Sequence, residues 1–172
     1  MRQRTRRGVL IGAGGFVLLA SLAAFTGRGW FGLGGSADTG PVFTGIIDGV
    51  AVGGYDPVSY FTDGGPRPGS PEIATSYRGA SWYFANAENR DRFLADPQAY
   101  APAYGGYCAW AVAQGNLAKG DPAYWDIVEG RLYLNYDRAV QIRWRKDIPG
   151  FIVKSEENWP GLVEWARGGA DR

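Results

Sequence analysis

Apolar and polar residues follow one another in short runs along this chain, and most runs end at a turn signal. Ile46-Ile47-Asp48-Gly49-Val50-Ala51-Val52 places Asp-Gly between β-branched runs and predicts a tight hairpin. Val58-Ser59-Tyr60-Phe61 predicts a short strand, and the Gly- and Pro-rich stretch from Asp63 to Pro71 a loop. Ile73–Tyr77 and Ala80–Phe84 flank Arg78-Gly79 as a second hairpin. Asn86 supplies an N-cap for a helix to about Ala95 that buries Phe93 and Leu94 and stops before Pro97. The Ala-rich run Tyr107–Ala113 predicts a short, mostly buried helix ending at Gly115. Trp125–Val128 and Arg131–Asn135 flank Glu129-Gly130 as a third hairpin, and Asp137 caps a helix through about Lys146. A last short helix runs from Ser155 through Trp165.

Gly79, Asn86, Phe93, Asp96 and Tyr100 each have a counterpart 51 residues later, at Gly130, Asp137, Trp144, Asp147 and Phe151. This is either a duplicated hairpin–helix unit or the common outcome of capping and core rules. The fold class expected is α+β: antiparallel β-hairpins with short helices packed on one side.

The first residues follow a different pattern. Arg2, Arg4, Arg6 and Arg7 precede an uncharged run from Gly8 to Phe25, diluted by glycines. Thr5-Arg6-Arg7-Gly8-Val9-Leu10 reads as a twin-arginine-like export signal, which implies the twin-arginine export machinery as a partner. Ser21-Leu22-Ala23 and Gly35-Ser36-Ala37 offer small residues for cleavage. Uncleaved, the 18 residues would extend ~27 Å and anchor the chain in the inner membrane. The expected organisation is a leader or anchor over 1–26, a Gly-rich linker over 27–44 and a domain over 45–167. The domain would then be periplasmic, or anchored with its body outside the cytoplasm.

Composition removes several chemistries. There is no His, one Cys, and one Met at position 1. Ser-His-Asp and Cys-His nucleophile systems, His-ligated metals, intramolecular disulfides and Met-rich copper sites are therefore absent. Five of the 18 Lys and Arg precede residue 37 and none of the 17 Asp and Glu do, so the rest carries a formal charge of −4. An acidic segment without a basic stripe is poorly suited to nucleic acid.

Cys108 is the sharpest chemical candidate. It follows Gly105-Gly106 at an expected helix start, where unpaired N–H groups favour a thiolate, and Tyr104, Tyr107 and Trp110 could wall a pocket. The alternative is a small buried hydrophobe on an Ala-rich helix. Tyr55 and Asp56 come second; before Pro57 the Asp could ligate a hard metal or initiate a turn. Lys119 would stabilise a nearby thiolate or lie exposed in a loop. Asp56, Asp63, Asp121 and Asp126 leave an oxygen-only metal site open, without calcium-loop spacing.

Longer motifs carry a resemblance. Gly54-Tyr55-Asp56-Pro57-Val58-Ser59-Tyr60-Phe61, Tyr77-Arg78-Gly79-Ala80-Ser81-Trp82-Tyr83-Phe84-Ala85, Asn89–Pro97 and Tyr100–Ala109 are similar to exported YHS-domain proteins. The likeness continues through Lys119-Gly120-Asp121-Pro122, Leu132–Tyr136 and Asn158-Trp159-Pro160, over about residues 45–161. It implies a metal-binding ancestry, since YHS domains are regarded as metal-binding modules. The family's metal-binding members carry Cys where this chain has Ser59, and again after the Tyr-Phe strand, where Ala85 stands; the His of the family name is missing too. Longer exported relatives are often labelled (seleno)proteins, which would suit a redox-active Cys. Three readings follow: a binding module with a metal ion or small ligand near Cys108, a non-catalytic accessory of an envelope protein partner, and a thiol redox protein. No cofactor is identified, and the balance favours a non-enzyme.

Overall fold

The computed structural model describes residues 40–168. The leader, its arginine pair, both candidate cleavage sites and linker residues 27–39 lie outside the described residues. Among the described residues no helix is long and apolar enough to cross a membrane.

The turn chemistry organises the architecture. Arg78-Gly79 and Glu129-Gly130 both adopt positive φ at both positions, with Arg78 and Glu129 each at 50° and the glycines at 75° and 78°. That geometry matches the right-handed twist of flanking strands. It joins β3 (Ser70–Tyr77) to β4 (Ala80–Phe84) and β5 (Asp121–Val128) to β6 (Arg131–Asn135), both antiparallel. A small third pair joins β1 (Tyr55–Asp56) to β2 (Arg67–Pro68).

Each long hairpin feeds a capped helix. The Asn86 side chain accepts from the Asn89 N–H and starts α2 (Ala87–Ala95); α3 (Pro97–Tyr100) follows. The Asp137 side chain accepts from the Val140 N–H and starts α5 (Arg138–Trp144). α6 (Ile148–Gly168) closes the chain. Two shorter helices, α1 (Ser59–Thr62) and α4 (Ala109–Ala113), follow 3-10 turns at Ala51–Gly54 and Ala103–Gly106. The α+β class with antiparallel hairpins and attendant helices is the fold observed.

The repeat is structural. Both hairpins shift register at the same place, between Ser70 and Ala74 in one and between Asp121 and Trp125 in the other, 51 residues on. Trp82 packs on Phe93 with ring centroids 5.0 Å apart, and their counterparts Tyr133 and Trp144 pack at 5.6 Å. The duplication reaches further back than the hairpins. Val52-Gly53-Gly54 has φ values of 53°, 58° and 82°, and Tyr104-Gly105-Gly106 has 55°, 62° and 85°. Left-handed backbone is unfavourable for the β-branched Val52 and uncommon for any non-glycine residue such as Tyr104, so the surrounding fold imposes it at both.

Two buried clusters form the core. One gathers Val58, Tyr60, Trp82, Phe84, Phe93, Leu132 and Leu134; the other gathers Tyr104, Ala109, Val112, Tyr133, Trp144, Trp159 and Val163. Strand β6 divides them. Leu132 and Leu134 face the first cluster and Tyr133 the second, as side-chain alternation along a strand requires. A strand buried on both faces is nearly all apolar, which makes the fully buried Asn135 at its end conspicuous.

Four expectations are corrected. Val58–Phe61 is not a strand: Asp56 Oδ1 accepts from the Val58 N–H at 2.8 Å, and this Asx turn launches α1. The hairpin at Ile46–Val52 shrinks to one bridge between Ile47 and Val50, because the chain then enters the 3-10 turn. The last helix starts seven residues earlier than Ser155, at Ile148, because Asp147 Oδ1 accepts from the Gly150 N–H and caps it. Leu94, expected in the core, is 53% exposed.

Candidate functional site

The two Gly-Gly-Tyr segments set the geometry. In the first, the chain leaves Gly54 and carries Asp56 inward, where it is fully buried. Its carboxyl accepts three hydrogen bonds: from the Val58 N–H at 2.8 Å, the Ala85 N–H at 2.9 Å and the Asn89 side-chain amide at 2.7 Å. Ser59, also fully buried, donates to the Asp56 and Gly65 carbonyls and accepts from the Arg67 N–H. The position where the resemblance has a cysteine is thus engaged in closing a loop.

In the second segment, Cys108 stands where Asp56 stands in the first, two residues past the glycine pair. It is 0% exposed. The backbone amides of Ala111, Tyr136 and Trp110 act to lower its pKa. Tyr136 and Trp110 are the counterparts of Ala85 and Val58, the two backbone donors to Asp56. The thiol faces Asn135 Oδ1 at 3.9 Å, and among the described residues the buried Asn135 Nδ2 has no hydrogen-bond partner. The expectation of a lowered thiol pKa is corrected here. Burial raises it, and that desolvation outweighs the backbone donors, which act in the opposite direction.

The neighbours of Cys108 do not converge on one cavity. Tyr104 is fully buried and donates to Glu156 Oε1 at 3.1 Å; burial pushes its phenol well above the usual tyrosine range. Tyr107 lies between Phe43 and Trp159, with centroids 5.3 and 6.1 Å away. Trp110 turns outward under the Arg143 guanidinium, 5.6 Å from its ring. Gly105 and Gly106 are buried, and residues 41–43 roof Gly105. The Phe43 N–H donates to the Gly105 carbonyl at 2.9 Å, and a Cβ on Gly105 would collide with the Pro41 carbonyl. The end of the expected linker is therefore packed on the domain.

Tyr55 and Asp56 are not partners of Cys108 in one pocket; Asp56 is the counterpart of Cys108 in the other unit, and Tyr55 that of Tyr107. Lys119 pairs its backbone with Tyr107, while its ammonium lies 3.7 Å from Asp121 and 5.1 Å above the Tyr136 ring. The oxygen ligands considered for a metal are dispersed as well. Asp63 pairs with Arg67, and Asp126 with Arg145 and Gln141. Among the described residues no group of three or more His, Cys, Asp or Glu is placed to hold a metal ion.

Sequence reasoning missed Asn89 and Asn135. A polar residue ending the run Leu132-Tyr133-Leu134-Asn135 was the visible signal for the second. A depression of about 390 Å³ lies elsewhere, lined by Gly115, Asn116, Leu117, Leu162 and Trp165, and it includes none of the residues singled out from the sequence.

No family model, curated protein or solved structure matches the chain.

Proposed function

We propose that this chain is a non-catalytic module that works outside the cytoplasm as an accessory of an envelope assembly. The observation that carries the reading is the burial of Cys108 at 0% exposure. A reactive thiol needs exposure and an electropositive neighbour, and Cys108 has neither: its pKa is raised and Lys119 is engaged by Asp121. Asp56, the second candidate, has its carboxyl filled by three internal donors. The groups most able to do chemistry are engaged in the fold. Export rests on the twin-arginine-like leader, and kinship with exported YHS-domain proteins rests on the motif run from Gly54 to Pro160.

The second reading is a binding module with a metal ion or small ligand beside Gly105–Cys108. One observation favours it: among the described residues Asn135 Nδ2 is a buried donor without a partner, next to the only sulfur of the domain.

Elemental analysis of natively exported protein separates the two. The accessory reading expects no stoichiometric metal, and a Cys108→Ala variant that differs from wild type in stability alone. A metal at one equivalent that disappears in Cys108→Ala would replace it with the binding module.

A further inference from the structure

The duplicated unit carries its own control for surface chemistry. Helix α2 bears acids and arginines that neutralise one another: Arg92 pairs with Glu88 at 2.6 Å and Arg90 with Asp91 at 2.9 Å. In its twin α5 both acids are gone. Ala139 stands for Glu88 and Ile142 for Asp91, while Arg143 keeps the place of Arg92. Arg138, Arg145 and Lys146 stand for Ala87, Leu94 and Ala95. All of these α5-side residues are exposed, Ile142 at 52%. The net acidity of the chain therefore hides a local surplus of cations. Asp126 takes Arg145 at 2.8 Å, whereas Arg138, Arg143 and Lys146 have no ion pair among the described residues. The Arg143 guanidinium lies 5.6 Å from the Trp110 ring, a contact that holds its plane and leaves edge donors for an acceptor.

We infer that the outward face of α5 is a docking surface for a short acidic segment of a partner protein, with an apolar side chain among its carboxylates. Arg138, Arg143 and Lys146 meet the carboxylates, and Ile142 with Ala139 meets the apolar residue. Arginine beside an aromatic ring suits this role, because its fork binds carboxylate at two points. The size of the face selects the occupant. Seven residues of helix extend ~10 Å, which offers far less than the ~800 Å² that each partner of a stable globular pair buries. A narrow segment fits this face. A broad anionic bilayer fits it less well, since it would also meet the Asp137 and Asp147 carboxylates at the helix ends, which cap α5 and α6. The inference supplies the partner chemistry that the accessory reading leaves open, and it rests on that reading.

The test titrates natively exported protein with a short peptide of glutamates around one leucine, and follows the Trp110 indole N–H by NMR. The expected result is saturable binding that weakens as salt rises. Arg143→Gln should weaken it about threefold or more. Ile142→Asp, which installs the twin's residue, should weaken it about tenfold or more, since a like charge then faces the carboxylates. Arg92→Gln, at the twin position in α2, should leave it unchanged. Every substituted side chain is exposed, and thermal unfolding confirms that each variant is folded. No binding of the glutamate peptide would overturn the inference. So would equal binding by a glutamine version of the peptide, equal binding by Ile142→Asp, or tighter binding of phosphatidylglycerol vesicles through the same residues. Stoichiometric metal in the same preparation would end the accessory reading, whereas absent peptide binding alone ends this inference.

Discussion

Asp56 and Cys108 occupy the same station in two copies of one structural unit, each two residues beyond a left-handed glycine pair and each fully buried. The first copy fills the station with a group that accepts three hydrogen bonds. The second fills it with a thiol and leaves an amide donor over. This relationship locates both leading candidates of the sequence and sets different expectations for each.

Removing the Asp56 carboxyl orphans the Val58 and Ala85 N–H groups and the Asn89 amide together. Asp56→Ala should cost about 3 kcal/mol or more, since each stranded donor carries its own desolvation penalty. Asp56→Asn retains one acceptor oxygen and should lose less. Urea unfolding of both variants checks the order; equal losses would contradict it.

Alkaline pH should destabilise the domain through Cys108. Its folded pKa is raised by burial above the ordinary thiol value of 9.0, so the folded state favours the protonated thiol. That contribution is complete below pH 9.0, and it is lost as pH rises through the folded value. Tyr60 and Tyr104 are also raised by burial, and they add a loss that begins above 10.0. The urea midpoint should therefore begin to fall near pH 9. In Cys108→Ser, whose hydroxyl does not titrate there, the fall should start about one pH unit later.

Glycines at two places should respond differently to an added methyl. A Cβ on Gly120 would run into the Gly106 carbonyl and the Leu134 side chain, where the two halves of the second unit meet. Gly79 meets nothing, and only its φ of 75° opposes a side chain. Gly120→Ala should lose about 2–4 kcal/mol and Gly79→Ala about 1 kcal/mol. Thermal unfolding of the pair reads the difference directly.

Local chemistry was legible in the sequence and long-range placement was not. The caps at Asn86 and Asp137 and the turns at Arg78-Gly79 and Glu129-Gly130 depend on a few adjacent residues, and they stand where the sequence puts them. Val58–Phe61 misled because its strand-like composition yields to the Asx turn that Asp56 makes with Val58. Asp147-Ile148-Pro149-Gly150 was a readable helix start, with proline in the first turn, that the later Ser155 obscured. Gly-Gly-Tyr occurs at positions 53 and 105, so the backward reach of the repeat was also visible. The inward aim of Cys108 was not, because it depends on Asn135 and Tyr136, residues brought there by a hairpin.

Thiol accessibility tests most directly whether Cys108 belongs to the interior. Native, exported protein is mixed with a bulky disulfide reagent at neutral pH, and its rate is compared with that of the denatured chain. Burial predicts a native rate slower by about two orders of magnitude or more, governed by local opening. A native rate within a few-fold of the denatured one would place the sulfur at the surface and return Cys108 to reactive chemistry.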